Sequence, residues 1–115
     1  MTNFNEINTN LLTQKIKLIL FNLNLNEKYA AFDYLTLILI YFLRNDPSLK
    51  CFNKAIQEIS KQHNITRRTI MQELNNLVKH IDSSQIHNLS FNLVKNHTIN
   101  KIRAIKNYIE QNIDF

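Results

Sequence analysis

The stretch Ala55-Ile56-Gln57-Glu58-Ile59-Ser60-Lys61-Gln62-His63-Asn64-Ile65-Thr66-Arg67-Arg68-Thr69-Ile70-Met71-Gln72-Glu73-Leu74 reads as a helix, a four-residue turn and a second helix. Ile59 sits where the two helices meet, and Ser60 is small enough to let them approach. Asn64 falls at a turn position that takes left-handed backbone, which Asn tolerates better than other residues bearing a Cβ. Ile65 is placed to plug the turn into the core. Thr66 is a good N-cap, because its hydroxyl can accept from an amide of the first helical turn. This is the spacing of a helix-turn-helix, which lays its second helix in the major groove of a duplex.

The second helix, expected from Arg67 to Ile81, can be tested by projection at about 100° per residue. Ile70, Leu74, Leu77 and Ile81 gather on one side. Arg68, Gln72, Asn75, Asn76 and Lys79 gather on the other, with Glu73 and Met71 on the flanks. An outward face of cations and amides without a carboxylate suits a polyanion. Arg reads guanine edges and Asn or Gln reads adenine, each good pair contributing about 1–3 kcal/mol of discrimination. Lys79 is suited to phosphate, which orients without specifying sequence. Thr66, Arg67 and Thr69 stand at the helix start, where free amides also hold phosphate.

Outward from this pair, the rest of the chain also reads as helix. Leu12, Ile16, Ile19, Leu20 and Leu23 share one face of a first helix over about Leu11 to Leu23, capped by Thr9 or Asn10. Residues 1–10 are polar and are expected to form a flexible N-terminus. A second helix, about Glu27 to Arg44, is apolar on nearly every side in its latter half, the mark of a helix at the centre of a bundle. Asn45-Asp46-Pro47-Ser48 ends it. A third helix covers about Phe52 to Gln62, with Phe52, Ala55, Ile56 and Ile59 inward. After the Asp82-Ser83-Ser84 stop, a short piece is expected at about Gln85 to Leu93. A last helix, about Ile99 to Ile113 and capped by Thr98, turns Ile102, Ile105, Ile109 and Ile113 inward. The fold class is therefore all-α: a single bundle of about six helices over residues 11–115 containing a helix-turn-helix.

Composition agrees. The 115 residues hold no Gly and one Pro, Pro47, against eighteen Asn. Tight hairpins need the left-handed freedom of Gly, so a many-stranded sheet would be hard to turn. Length is sufficient for one core without metals or disulfides. The lone Cys51 permits no intrachain disulfide, and the polar start carries no signal-peptide pattern, so a cytoplasmic protein is expected. The longest apolar run, Tyr34 to Leu43, is too short for a bilayer, which needs roughly 20 residues. Membrane partners are therefore not expected. The formal charge of +5 is compatible with a polyanionic partner.

Other constellations carry less. His63, His80, His87 and His97 lack the spacing of a metal helix, so no metal or other cofactor is expected. No nucleophile elbow, phosphate loop or paired carboxylates are evident, so neither an enzyme nor a small-molecule substrate is expected. Lys95, Lys101, Arg103 and Lys106, with no acid among them, form either a second phosphate-contacting surface or a solvated helix face.

The segment from about Ile16 to Ile109 resembles the C-terminal effector domain of stage-zero sporulation protein A, the sporulation response regulator of spore-forming Firmicutes. The strongest likeness is Glu58-Ile59-Ser60-Lys61-Gln62-His63-Asn64-Ile65-Thr66-Arg67-Arg68-Thr69-Ile70, similar to that family's helix-turn-helix. Tyr34-Leu35 and the apolar helix that follows resemble its Tyr-Leu helix. His97-Thr98-Ile99-Asn100 resembles the capped start of its last helix. The resemblance implies a bundle of about six helices and tandem binding to duplex DNA as a transcription regulator. Met71, Gln72 and Asn75 stand where the family is rich in Arg and Glu, so a different DNA sequence is expected to be read. Ala31 replaces a family Gly. No receiver domain is present in the sequence, so control by aspartyl phosphorylation is not expected.

The expected function is sequence-specific binding of double-stranded DNA, as a homodimer or in tandem copies, through Thr66, Arg67, Arg68, Thr69, Gln72, Asn75, Asn76, Lys79 and Lys101. The alternative is a protein-interaction module derived from a helix-turn-helix domain that no longer binds DNA. It would dock through the apolar second helix or the Phe115 end. A replication or partition factor would share the DNA-binding chemistry.

Overall fold

Side-chain caps set where three of the helices in the computed structural model begin. The structure describes residues 3–81 and 98–114. Asn8 accepts from the amides of Asn10 (2.8 Å) and Leu11 (3.3 Å) and starts α1, Thr9–Asn22. The helix thus begins two residues before the expected Leu11, and the cap is Asn8 rather than Thr9 or Asn10. Asn24 then takes left-handed backbone at φ 70°. Asn26 bonds the Lys28 amide and makes a turn of residues that the sequence placed in the next helix. α2 therefore spans Ala30–Arg44 instead of starting at Glu27. Asp46 accepts from the Ser48 amide (3.0 Å) and Ser48 from the Cys51 amide (3.1 Å), starting α3, Leu49–His63, ahead of the expected Phe52. Thr66 starts α4, Arg67–Val78, at the expected residue. The helix stops at Val78, not Ile81, because the amides of His80 and Ile81 turn back to Leu77 and Val78. α5 is Thr98–Asn112.

Five helices and no strand stand among the described residues, where about six helices were expected. The piece expected at about Gln85 to Leu93 and the Asp82-Ser83-Ser84 stop lie outside them, as do Lys95, His87, His97, Phe91 and Phe115.

α2 is the hub, packed against all four other helices. Leu35, Ile38 and Leu39 are fully buried, with Phe32 and Phe42 at most 1 % exposed, as its all-round apolarity requires. Against it α1 lays Leu12, Ile16, Ile19, Leu20 and the following Leu23; α3 lays Phe52, Ala55, Ile56 and Ile59; α4 lays Ile70, Leu74 and Leu77; α5 lays Ile102, Ile105 and Ile109. Every one of these faces follows the projected periodicity.

Arg44 closes one end. Its guanidinium donates to the carbonyls of Phe4 (3.3 Å) and Ile7 (2.9 Å) and to the Thr9 hydroxyl (3.0 Å). Phe4 and Ile7 pack against the core, inside the segment that the sequence presented as a polar N-terminus. Among the described residues, no helix is long and apolar enough to cross a membrane.

Candidate nucleic-acid interface

The joint between α3 and α4 is built from three residues, Asn64, Ile65 and Thr66. Asn64 ends α3 at φ 53°, ψ 48°, the left-handed conformation that the sequence required of it. Ser60 serves twice: its hydroxyl donates to the Ile65 carbonyl (2.6 Å), and its own carbonyl accepts from the Ile65 amide (3.3 Å). Ile65 is half-buried against the core. Thr66 accepts from the Thr69 amide (3.2 Å), and the two hydroxyls lie 3.1 Å apart. The cap satisfies one of the four amides that every helix start leaves without a helical partner.

The structure brings most of the candidate residues onto one open strip of α4. Arg68, Gln72, Asn75, Asn76 and Lys79 are all exposed, opposite the buried Ile70, Leu74 and Leu77. Arg68 and Gln72 make no hydrogen bond or ion pair among the described residues, so both are available to a ligand. Lys79 rests 3.5 Å from the Asn76 side chain, a contact too long to restrain it.

Three candidates, Arg67, Thr69 and Lys101, lie off the strip, and Asn75 on it is already engaged. Arg67 is exposed but turned back onto α3, donating to Asn53 Oδ1 (2.9 Å) with its guanidinium 5.9 Å from the centre of the Phe52 ring. It fastens the two helices together. Thr69 is half-buried beside Thr66. The Asn75 amide oxygen accepts from the Thr98 hydroxyl (2.6 Å) at the start of α5. The Thr98 hydroxyl thus reaches across to α4, where the sequence had given it the α5 cap, and Thr98 itself is only 4 % exposed. Lys101 is half-buried and stands on α5 rather than α4. Of the cations that the sequence offered as either a second phosphate-contacting surface or a solvated helix face, Arg103 and Lys106 are engaged internally. Arg103 donates to the Pro47 carbonyl (2.6 Å) and to Asn100 (2.8 Å), and Lys106 pairs with Glu110 (2.6 Å).

Electrostatics follow this arrangement. Residues 49–79 hold six of the cations, Lys50, Lys54, Lys61, Arg67, Arg68 and Lys79, and only two carboxylates, Glu58 and Glu73. A net of four of the chain's five positive charges therefore lies in α3, the joint and α4. Both carboxylates are half-buried on the flanks. Glu58 accepts from Gln62 (3.2 Å), and Glu73 faces Tyr34 of α2 with one oxygen shielded from solvent and unbonded. Burial first, then the Glu73 charge, raises the Tyr34 hydroxyl above its ordinary pKa. The outer wall of α3 and α4 is thus left without an exposed carboxylate. Sequence reasoning passed over the α3 lysines, although their spacing of four, then seven residues was legible.

The two described histidines stack on tyrosines. His63 meets Tyr34 edge-on at 5.1 Å, and His80 lies on Tyr29 at 5.5 Å. Among the described residues no group of three His, Cys, Asp or Glu is placed to hold a metal. α2, one of two docking surfaces named for a protein-interaction module, is buried along its length and offers no free apolar face. Compared with known protein families, with curated proteins and with solved structures, the chain matches none.

Proposed function

We propose that this chain is a sequence-specific, double-stranded DNA-binding transcription regulator acting in the cytoplasm. In this reading α3, the Asn64–Thr66 joint and α4 form a helix-turn-helix, and α4 enters the major groove. It is a binding protein and not an enzyme, and its likeness to the sporulation-regulator effector domain is part of the proposal.

One observation carries it: the exposed, acid-free strip Arg68, Gln72, Asn76 and Lys79, held rigidly by the core residues beneath it. Arg68 and Gln72 are the base-reading candidates, being unengaged and able to make two-point contacts with guanine and adenine. Lys79 and the capped start of α4 are suited to phosphate. Arg67 and Asn75 act through the scaffold, since both side chains are already engaged. A single α4 covers a few base pairs, so useful affinity calls for two copies on adjoining half-sites about one helical turn apart.

Selection of bound duplexes from a random pool tests the proposal. Enrichment of a repeated half-site is expected, and Gln72→Ala should relax preference at one position, at about 1–3 kcal/mol. An unenriched pool, with no retention even at low salt, would refute it.

A further inference from the structure

The exposed side of α3 carries a second feature that the α4 reading does not use. Lys50, Lys54, Gln57 and Lys61 follow one another at four, three and four residues, so they form one stripe along the helix. All four are exposed, and the stripe lies opposite the buried Phe52, Ala55, Ile56 and Ile59. At 1.5 Å per residue it runs about 16 Å, nearly the whole helix.

Several cations elsewhere in the protein are engaged. Lys17 pairs with Asp33 (3.4 Å), Lys106 pairs with Glu110, Arg44 and Arg103 hold backbone carbonyls, and Lys28 lies near the Tyr29 ring. The α3 lysines have no ion pair among the described residues. Asp46 accepts from the Ser48 amide and acts on Lys50 and Lys54 through its charge alone, without an ion pair. Three ammonium groups on one helix face outnumber the carboxylates beside them, Asp46 and Glu58, an imbalance that an external polyanion relieves. α3 and α4 are packed neighbours that both rest on α2, so the stripe and the α4 strip stand on adjacent helices.

We infer that the α3 stripe is a phosphate track: Lys50, Lys54 and Lys61 contact the backbone of the duplex whose groove α4 reads. The inference rests on the DNA-binding reading of α4 and adds to it. α4 supplies sequence, whereas the stripe supplies sequence-independent attachment, since lysine contacts to phosphate carry no base information. Gln57, in the middle of the stripe, can donate to the same backbone without adding charge.

Binding of the full chain to a random-sequence 30-base-pair duplex between 50 and 200 mM salt separates the possibilities. Three phosphate contacts contribute about 2.7 to the slope of log affinity against log salt. The triple variant K50Q/K54Q/K61Q should lose that slope, so its affinity falls about 40-fold less than the parent's over this range. The control K15Q/K28Q/K106Q removes as many charges from outside α3 and should shift the slope by less than about one. The inference is overturned if the parent binds and the triple variant keeps its slope, or if the control shifts as far. If the parent itself fails to bind at 50 mM, the α4 reading falls and the track falls with it; the parent's behaviour alone distinguishes that case.

Discussion

Asn64 is the residue on which the α3–α4 joint turns, and substituting it gives a graded test. Its backbone stands at φ 53°, ψ 48°. A residue with a Cβ meets the following carbonyl there at a cost of about 1–2 kcal/mol, which Asn partly offsets by local hydrogen bonding and Gly avoids. Asn64→Gly should therefore stay within about 0.5 kcal/mol of the parent, because removing the steric cost is balanced by greater freedom of the unfolded chain. Asn64→Ala should lose about 1 kcal/mol. Asn64→Val, β-branched, should lose about 2 kcal/mol or more. At an unfolding entropy of about 2.1 cal/mol/K per residue, each kcal/mol moves the Tm of a chain this long by about 4 °C. Thermal unfolding followed by circular dichroism at 222 nm should order the variants Gly, Asn, Ala, Val, with about 8 °C between the ends. A Val variant melting within about 1 °C of the Gly variant would mean that residue 64 is not left-handed. The placement of α4 would then be wrong with it.

Further expectations concern the contacts that hold the open strip in place. Thr98→Val and Asn75→Ala should each destabilise by about 1 kcal/mol, with a coupling of 0.5 kcal/mol or more in a double-mutant cycle by urea unfolding. A coupling near zero would deny the 2.6 Å bond between them. Ile70→Ala, at a fully buried position under the strip, should cost about 2–5 kcal/mol, read as a lowered urea midpoint. Asp46 is held below its ordinary pKa, first by its side-chain bond with Ser48. Because the folded-state value is depressed, its contribution is present above the unfolded pKa of about 3.9 and is lost as pH falls through the folded value. Asp46→Asn should accordingly flatten the fall in Tm below about pH 4 and change little at neutral pH. Arg44→Met should speed amide exchange over residues 3–9 by tenfold or more, since each bond to the guanidinium is worth about 1.5–3 kcal/mol.

Much of the candidate interface was written locally. The inward set Ile70, Leu74 and Leu77, the outward set Arg68, Gln72, Asn76 and Lys79, the left-handed Asn64 and the Thr66 cap all follow from periodicity and capping. Those rules act within a turn or two of helix, so a single sequence displays them. The centrality of α2 was legible for the same reason, as a helix apolar on every side has no other place to go. The sites where expectation and structure part are side chains with several possible partners. Arg67 had the composition of a DNA contact and is spent on Asn53, fourteen residues earlier.

The sequence alone determined that this protein is helical, which side of each helix faces in, and where α3 yields to α4. Only the tertiary structure decided which polar groups remain free: it engaged Asn75 with Thr98 and drew Phe4, Ile7 and Thr9 onto Arg44, while leaving Arg68, Gln72 and the α3 lysines open. Apolar burial is periodic and can be projected along a helix. A hydrogen bond between residues far apart in the chain leaves no periodic mark, because it depends on how separate helices come to lie together.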